Sequence, residues 1–335
     1  MTSQWTAFLD QQGAVRDTDG SARHLGQPVH AGDSLFACDH LAIITLRGPD
    51  SIKFLQGQLT ADARDLEKGL SRLAMHLSLK GRGMVSMRLL PADDGADILV
   101  PRMMADTLIE RLKKYILFSK AELARDETRV VIGVSGNSAE TLAAAGLPSP
   151  DPDNVIIDGQ RSILNAGNRH LLLLGIDDAI QLWPTLAEGR TPGAADLARL
   201  AEIQAGEAHI LPGAEDLFLP QVLNYDLTGG VSFNKGCYVG QEVVARMHFK
   251  GKLKQRMQYH QWQGSHNAAP GSVIRNSEGS AIGEVVMVVA SAERTDALVV
   301  VRLDHEGGYG VEMEGEVVDM VVERSPLPYE DQPDA

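Results

Sequence analysis

The residue types that could carry chemistry are concentrated in residues 233–256, which read FNKGCYVGQEVVARMHFKGKLKQR. Cys237 comes two residues after Lys235 and just before a segment that is predicted to be helical from Gly240 or Gln241 to Arg246. A thiolate near a cation and a helix start is stabilised, which raises its reactivity toward electrophiles, oxidants and soft metals. The same residues fit an unreactive cysteine packed in a glycine-rich turn, and composition does not decide between the two interpretations.

A row of basic side chains follows this cysteine at every second position: Arg246, His248, Lys250, Lys252, Lys254 and Arg256. In an extended strand these side chains would project from one face, where they could hold an anionic ligand or an RNA backbone. The alternative is an edge strand that lysines protect from aggregation, and Gly251 interrupts the row.

Other candidate sites in the chain carry weaker signals. The segment KGRGMVS at 80–86 has the wrong glycine spacing for a nucleotide-binding loop, so it predicts a hairpin turn. Cys38 adjoins an apolar segment and is expected to pack in a core. The histidines show no metal-ligand spacing, so we expect no intrinsic metal.

Composition limits the class of protein. The 335 residues exceed the size of a single core, so two or three domains are expected. Two cysteines are too few for a disulfide scaffold or for the four thiolates of a standard iron–sulfur cluster. A net charge of −14 disfavours direct binding of nucleic acid. The absence of a long apolar run and of a secretory signal predicts a cytoplasmic protein that does not enter a membrane.

The elements that must position the cysteine alternate irregularly along the chain, which favours an α+β fold over a doubly wound sheet. Strands are predicted near 41–46, 84–90, 98–100, 128–134 and 171–175, and helices near 103–118, 138–145 and 178–187. After residue 256, five β-branched segments between turns predict a small antiparallel barrel or sandwich.

The segment KGCYVGQE at 235–242 resembles the signature of the YgfZ-type tetrahydrofolate-binding family, which is related to the glycine-cleavage aminomethyltransferase. The resemblance extends from about residue 38 to the end of the chain. Further similar segments are QGQLTAD at 56–62, the KGRG turn, LKKYILFSKAEL at 112–123, LPQVLNYDLTGGVSF at 219–233, VARMHFKGKLKQR at 244–256 and PLPYE at 326–330.

This resemblance implies a multi-domain aminomethyltransferase-like fold. Two α+β folate-binding modules are expected at 1–125 and 126–255, and a C-terminal antiparallel β-barrel at 256–330. It also implies non-covalent binding of tetrahydrofolate or a derivative, and a role in assembling or repairing iron–sulfur enzymes, including those that thiolate tRNA, under oxidative stress. The implied partners are these client enzymes and assembly proteins, with tRNA reached only indirectly and no contact with DNA.

The resemblance also assigns site residues. It implies that Cys237 is the reactive thiol, assisted by Lys235. The motif positions around them are Gly236, Gly240, Gln241 and Glu242, and the folate contacts are Gln204, Asn224, Tyr238, Arg246, Leu41 and Ala198.

Three departures from the related enzymes affect the predicted activity. Residues 80–90 contain no Asp or Glu where the enzymes carry an acidic pair, and a positioned acid or base is typically worth about 10²- to 10⁴-fold in rate. Gln204 stands where relatives often have Glu, and Leu41 and Ala198 where some have Trp. Aminomethyl transfer is therefore not expected. The alternatives are a one-carbon transferase that uses Asp226 or Glu242, and a non-catalytic scaffold.

Overall fold

The computed structural model describes residues 3–26 and 32–330. The helices are α1 (Gln4–Gln11), α2 (Ser51–Gln58), α3 (Ala105–Ile116), α4 (Ser138–Ala144), α5 (Ile176–Leu186), α6 (Ala195–Ala205) and α7 (Gln241–Lys250). Short 3₁₀ turns occur at Ala63–Lys68, Arg102–Met104 and Pro220–Leu223. No helix within the described ranges has the length and apolar character that crossing a membrane requires.

The strands of the first 200 residues are β1 (Ala14–Arg16), β2 (Ala22–Leu25), β3 (Ser34–Ala37), β4 (Leu41–Arg47), β5 (Arg72–Leu77), β6 (Gly83–Ala92), β7 (Gly95–Pro101), β8 (Glu122–Asp126), β9 (Arg129–Ser135), β10 (Val155–Asp158), β11 (Arg161–Asn165), β12 (Arg169–Gly175) and β13 (Thr191–Gly193). The C-terminal strands are β14 (Gln255–Gln263), β15 (Val273–Arg275), β16 (Ala281–Ala290), β17 (Arg294–Arg302), β18 (Tyr309–Met313), β19 (Glu316–Met320) and β20 (Val322–Ser325).

The predicted α+β class is confirmed. The strands expected before residue 200 are present as β4, β6, β7, β9 and β12, and the expected helices are α3, α4 and α5. Neighbours such as β9 and β12 pair antiparallel, whereas β3 pairs with β13 in parallel. The parallel pair is one short contact at a sheet edge, so the sheets formed by residues 3–26 and 32–330 lack the repeated parallel crossovers of a doubly wound fold.

The chain folds as two compact units. Unit 1 contains residues 1–54, 64–72 and 88–201, and unit 2 contains residues 55–63, 73–87 and 202–335. Both of the α+β modules expected at 1–125 and 126–255 contribute residues to each unit. The predicted module boundaries follow the sequence in order, and they stay a prediction.

The six-stranded sheet of unit 1 has the order β10-β11-β12-β9-β3-β13. Its strand β12 contains four consecutive leucines, which alternate between two separate apolar cores. Leu172 and Leu174 pack in the core that also holds Trp5 and Trp183, while Leu171 and Leu173 pack in another core. The run is apolar throughout because both faces of this strand are covered.

The C-terminal sheet of unit 2 has seven antiparallel strands in the order β19-β18-β15-β16-β17-β14-β20. The sequence predicts five strands, one of them over residues 310–324. That segment instead forms three strands, β18, β19 and β20, which raises the number to seven. The sheet is curled into a half-barrel. In the described part of the chain, β19 and β20 remain at its two ends, so the hydrogen-bonded order does not close into a full barrel.

A buried polar chain runs through this sheet and centres on His260, which is 5% exposed. Its Nδ1 lies 2.6 Å from the Tyr309 hydroxyl and its Nε2 lies 2.9 Å from Gln258 Oε1. Trp262 Nε1 donates to the same Tyr309 hydroxyl at 2.9 Å. The arrangement fits a neutral imidazole, because Nδ1 then accepts from Tyr309 while Nε2 donates to Gln258. Burial, together with the charge of Arg324, lowers the pKa of His260 to about 4.

This burial predicts an acid-sensitive stability. Because the folded-state pKa of His260 is about 4 and its ordinary value is 6.5, the unfolded chain binds the extra proton between these pH values. We expect unit 2 to lose about 3 kcal/mol of unfolding free energy as the pH falls from about 6.5 to 4. Urea unfolding at a series of pH values measures this loss, with His260→Gln as the comparison. Equal slopes for the two proteins between pH 6.5 and 5 would contradict the prediction.

Candidate functional site

The motif segment forms an irregular loop that ends at the start of α7. Gly240 is the N-cap residue and has φ +80°, a left-handed conformation that glycine adopts without strain. Gln241 closes the last turn of the loop through two hydrogen bonds with Tyr238. Its Oε1 accepts the Tyr238 N–H at 3.1 Å, and its backbone N–H donates to the Tyr238 carbonyl at 3.3 Å. The glycine and the glutamine of the motif therefore determine where the helix begins.

The KGRG segment forms the predicted hairpin turn between β5 and β6, and it packs against Gly240. A Cβ atom on Gly240 would lie 2.6 Å from the Ser78 carbonyl oxygen and 3.1 Å from Leu77 Cβ. A Cβ atom on Gly81 would lie 2.7 Å from Val243 Cβ and 3.1 Å from the Gly240 carbonyl oxygen. The two segments that the sequence singled out are thus in direct contact, and glycine is required on both sides of that contact.

Asp216 holds this turn from a distant part of the chain. Its carboxylate accepts the Ser78 hydroxyl at 2.6 Å and the Lys80 ammonium at 3.4 Å. Its N–H donates to the Gly83 carbonyl at 2.9 Å, and the Gly83 N–H donates to Phe218 at 2.8 Å. The Ser78 hydrogen bond is the main cause of the lowered pKa of Asp216, and Lys80 adds to it, whereas burial opposes the shift. Sequence reasoning missed Asp216, because nothing local links it to Ser78 across 138 residues.

Lys235 anchors the motif loop on the segment that follows α2. Its Nζ donates to the carbonyl oxygens of Leu59 at 2.7 Å and Ala61 at 2.6 Å, and lies 5.0 Å from the centre of the Tyr238 ring. Burial raises the pKa of Tyr238 to about 12. The ammonium of Lys235 therefore has a structural role in addition to any effect on the thiol of Cys237.

The two cysteines lie in opposite environments. Cys237 is exposed on the motif loop, and no hydrogen bond or ion pair to a described residue restrains its sulfur. Cys38 is 3% exposed and belongs to an apolar core of unit 1, as predicted. Of the two thiols, Cys237 is the one that solvent and reagents can reach.

The predicted strand face of cations is wrong. α7 continues to Lys250, four residues beyond the predicted helix end. Arg246, His248 and Lys250 therefore lie on a helix, where side chains two residues apart point in different directions and do not form one strand face. Gln221 supports the helix, since its Nε2 donates to the Val244 carbonyl at 2.8 Å. Arg256 lies in β14 and pairs with Asp226 at 2.9 Å. Gly240 precedes the helix and Gly251 follows it, and no glycine interrupts the residues between them, so the helix continues to Lys250.

The end of α7 carries an aromatic group. The Phe233 ring stacks on His248 with centroids 3.7 Å apart and planes inclined by 13°. Phe249 meets His248 edge-on at 4.7 Å and is itself 70% exposed. The start of the motif loop is therefore tied to the end of α7 by stacked rings.

Four of the expected folate contacts belong to unit 2, and they differ in what they can offer. Asn224 is 2% exposed, and its amide is engaged by the Met257 carbonyl at 3.0 Å and by Arg256 at 2.9 Å. The side chains of Gln204 and Arg246 form no hydrogen bond with a described residue, and Arg246 is exposed. A ligand could use Gln204 and Arg246, whereas Tyr238 is only 9% exposed and Asn224 is committed to the protein.

The other two expected contacts, Leu41 and Ala198, belong to unit 1 and pack in the same apolar core. Leu41, together with Cys38, also lines a cleft of about 620 Å³ within this unit. Arg102 in the cleft wall pairs with Asp39 at 3.0 Å, so the wall's charges are partly neutralised by the protein itself. Leu41 and Ala198 are apolar and could provide only packing surface for a ligand.

Among residues 3–26 and 32–330, no group of three or more His, Cys, Asp or Glu side chains is placed to hold a metal ion. The remaining motif residues are Gly236, whose Cβ position faces open space, and Glu242, which is exposed in the first turn of α7. The site offers a thiol, an amide and cations as its reactive or binding groups.

Comparisons with known proteins place these features in context. No model of a protein family matches the chain. Residue by residue, the chain is 33% identical over 306 residues to the tRNA-modifying protein YgfZ of Cronobacter sakazakii, covering 88% of this chain and 93% of the relative. It is 34% identical over 243 residues to the protein of the same name from Yersinia enterocolitica, covering 71% and 73%.

A solved structure with the same fold is the glycine cleavage system aminomethyltransferase T from Bartonella henselae. The TM-score is 0.73 with 19% identity, and the match covers 97% of each chain. This likeness confirms the predicted aminomethyltransferase-like fold. The level of identity and coverage shared with the curated relatives shows that the chain belongs to the YgfZ family.

Proposed function

We propose that this chain is a tetrahydrofolate-binding accessory protein that supports the assembly or repair of iron–sulfur enzymes, including those that thiolate tRNA, with Cys237 as its reactive thiol. The observation that carries the proposal is an exposed sulfur on a loop held in place on both sides. The name of the relatives, tRNA-modifying protein, supports the link to tRNA.

The loop geometry supports a chemical role for the thiol. Lys235 fixes the residues before Cys237, and Gln241 fixes the residues after it, so the sulfur is presented by an ordered backbone. A packed, inert cysteine would lose its solvent exposure, as Cys38 does. An accessible thiol without a hydrogen-bond partner remains available to a reagent or to a client protein.

The folate part of the proposal is supported by the uncommitted groups of unit 2. Tetrahydrofolate would supply a one-carbon carrier with a polar pterin and anionic carboxylates. The Gln204 amide suits the hydrogen-bonding edge of a pterin, and the Arg246 guanidinium suits a carboxylate. Glutamine lacks the charged pair of oxygens that a glutamate would provide, so affinity for the pterin should be modest.

A folate-dependent one-carbon transferase is the second candidate, because the fold matches that of an aminomethyltransferase. The residues disfavour it. The carboxylates suggested as substitutes for the missing acid are Asp226 and Glu242, and Asp226 is paired with Arg256 through two hydrogen bonds. Glu242 is exposed at the start of α7, where solvent reduces its value as a positioned acid.

The proposal predicts that Cys237→Ser abolishes function without unfolding the protein. In cells that lack the native copy, we expect thiolated tRNA nucleosides, measured by mass spectrometry, to fall by about tenfold or more, because a serine hydroxyl cannot replace a thiolate. Cys38→Ser is the matched control and should restore thiolation. Full restoration by Cys237→Ser would remove the thiol from the function.

Folate binding needs a separate measurement. Calorimetric titration with tetrahydrofolate under anaerobic conditions should detect binding, and Gln204→Glu should tighten it by about 5- to 30-fold. No heat of binding with a normally folded protein would support the scaffold alternative. Formation of methylenetetrahydrofolate from a secondary amine donor would support the transferase.

A further inference from the structure

The proposed thiol chemistry leaves one strongly basic surface unexplained. We call it the α7 patch, and it consists of Phe233, Arg246, His248, Phe249, Lys250, Lys252 and Lys254. We propose that the α7 patch binds single-stranded RNA directly. The inference goes beyond the indirect link to tRNA that the family resemblance implies. It deepens the proposed function by giving the chain its own RNA contact, and RNA binding can be measured without folate or a client enzyme.

The first support is a local excess of positive charge. Between Asp226 and Glu278 the sequence contains seven Lys and Arg residues and a single carboxylate, Glu242, in a chain whose net charge is −14. Arg256 is neutralised by Asp226. The four cations of the α7 patch form no ion pair with a described residue, so their charge is available to a phosphate backbone.

The second support is the aromatic group at the end of α7, which is close in sequence to these cations. Phe249 is 70% exposed, and the stacked pair Phe233 and His248 holds it edge-on at 6.4 Å and 4.7 Å. Unpaired bases stack on such rings, whereas the bases of a duplex are already stacked and cannot reach them. A polyglutamate tail of a folate would engage the cations but would leave the rings exposed. The combination of rings and cations therefore favours single-stranded RNA.

The acidic character of the whole chain does not prevent this contact. At physiological ionic strength the charge of a remote acidic surface is screened beyond about 8 Å, so the nearby cations decide the interaction. The same charges would slow the approach of RNA from a distance and keep its affinity low. We therefore expect weak binding with a steep dependence on salt.

Fluorescence anisotropy with a labelled single-stranded RNA of mixed sequence, and with an RNA duplex of the same length, tests the inference. We expect the single strand to bind more tightly than the duplex. Phe249→Ala should weaken single-strand binding by about tenfold, because one stacking surface is lost. The triple variant Lys250→Ala, Lys252→Ala, Lys254→Ala should reduce the slope of log affinity against log salt by about 2.

A matched control lies at the end of α3, where Lys113 and Lys114 occupy the last turn and Phe118, which follows the helix, is 99% exposed. Replacing these three residues by alanine removes two cations and one exposed ring at another place on the protein, and it should leave RNA binding unchanged. Equal weakening by this control, equal affinity for the duplex, or no RNA binding at physiological salt would overturn the inference.

Two further measurements separate the possible outcomes. Displacement of the RNA by a short oligo-γ-glutamate, combined with no effect of Phe249→Ala, would assign the α7 patch to a folate tail and overturn the RNA inference. Cys237→Ser should bind RNA as the parent protein does even where it fails to restore thiolation. RNA binding and thiol function can therefore fail independently, and thermal melting confirms that each variant is folded.

Discussion

Replacing Gly240 by alanine should destabilise the protein by about 3 kcal/mol and disorder the motif loop. The left-handed φ of +80° disfavours any residue with a side chain. The added Cβ would also lie 2.6 Å from the Ser78 carbonyl oxygen, which belongs to backbone and cannot rotate away. The hairpin turn and the start of α7 must therefore separate. A fall of several degrees in the thermal midpoint, with faster hydrogen exchange across residues 235–243, would show this separation.

The motif supplies its own control for this prediction. Gly236 lies in the same loop, but a Cβ atom there would meet nothing within 4 Å, so Gly236→Ala should change stability by about 0.5 kcal/mol or less. Gly81→Ala disrupts the same contact from the other side, so its effect should not add fully to that of Gly240→Ala. Equal thermal midpoints for the Gly236 and Gly240 variants would mean that the close contact between Gly240 and Ser78 does not exist in solution.

Replacing Lys235 by methionine should have an effect of similar size, a loss of about 3 kcal/mol of unfolding free energy. Methionine retains the apolar stem but removes the donor to the carbonyls of Leu59 and Ala61, and hydrogen bonds that involve a charged group contribute about 1.5–3 kcal/mol each. The stacked cation above Tyr238 is lost as well. Urea unfolding, followed together with hydrogen exchange of residues 233–240, measures the change.

Lys80→Met is the matched control for Lys235. The Lys80 side chain is 77% exposed and reaches Asp216 only at 3.4 Å, so its replacement should change stability by about 0.5 kcal/mol or less. A Lys235 variant as stable as the Lys80 variant, with unchanged exchange in the loop, would mean that the carbonyl contacts do not hold the motif. The effect of Lys235 on Cys237 would then have to be electrostatic alone.

These contacts give the family motif a physical meaning. Gly240 allows α7 to start against the hairpin turn, Gln241 closes the loop, and Lys235 ties the loop to the end of α2. Each of these contacts restrains the loop that carries Cys237. The motif residues therefore fix the backbone on both sides of the exposed Cys237 in unit 2.

Local signals predicted many of the elements correctly. Alternation and β-branched content located β4, β6, β7, β9 and β12, because strand periodicity is a short-range property. The same reasoning failed at 246–256, where alternate cations suggested a strand and α7 continues instead. The spacing of charges on a solvent-exposed segment has little influence on its backbone, whereas glycines and caps at its ends have a large one.

The sequence alone determined the α+β class, the family, the one motif cysteine and the absence of an acid in residues 80–90, because these depend on residue identity and on local pattern. Only the tertiary structure decided what the motif residues touch. Lys235 meets Ala61 across 174 residues, and Gly240 meets the Ser78 carbonyl across a similar separation. It also decided that the Asn224 side chain bonds within the protein and that Phe249 stays exposed against His248 at the end of α7. Partners so distant along the chain are selected by packing, and no local spacing encodes them.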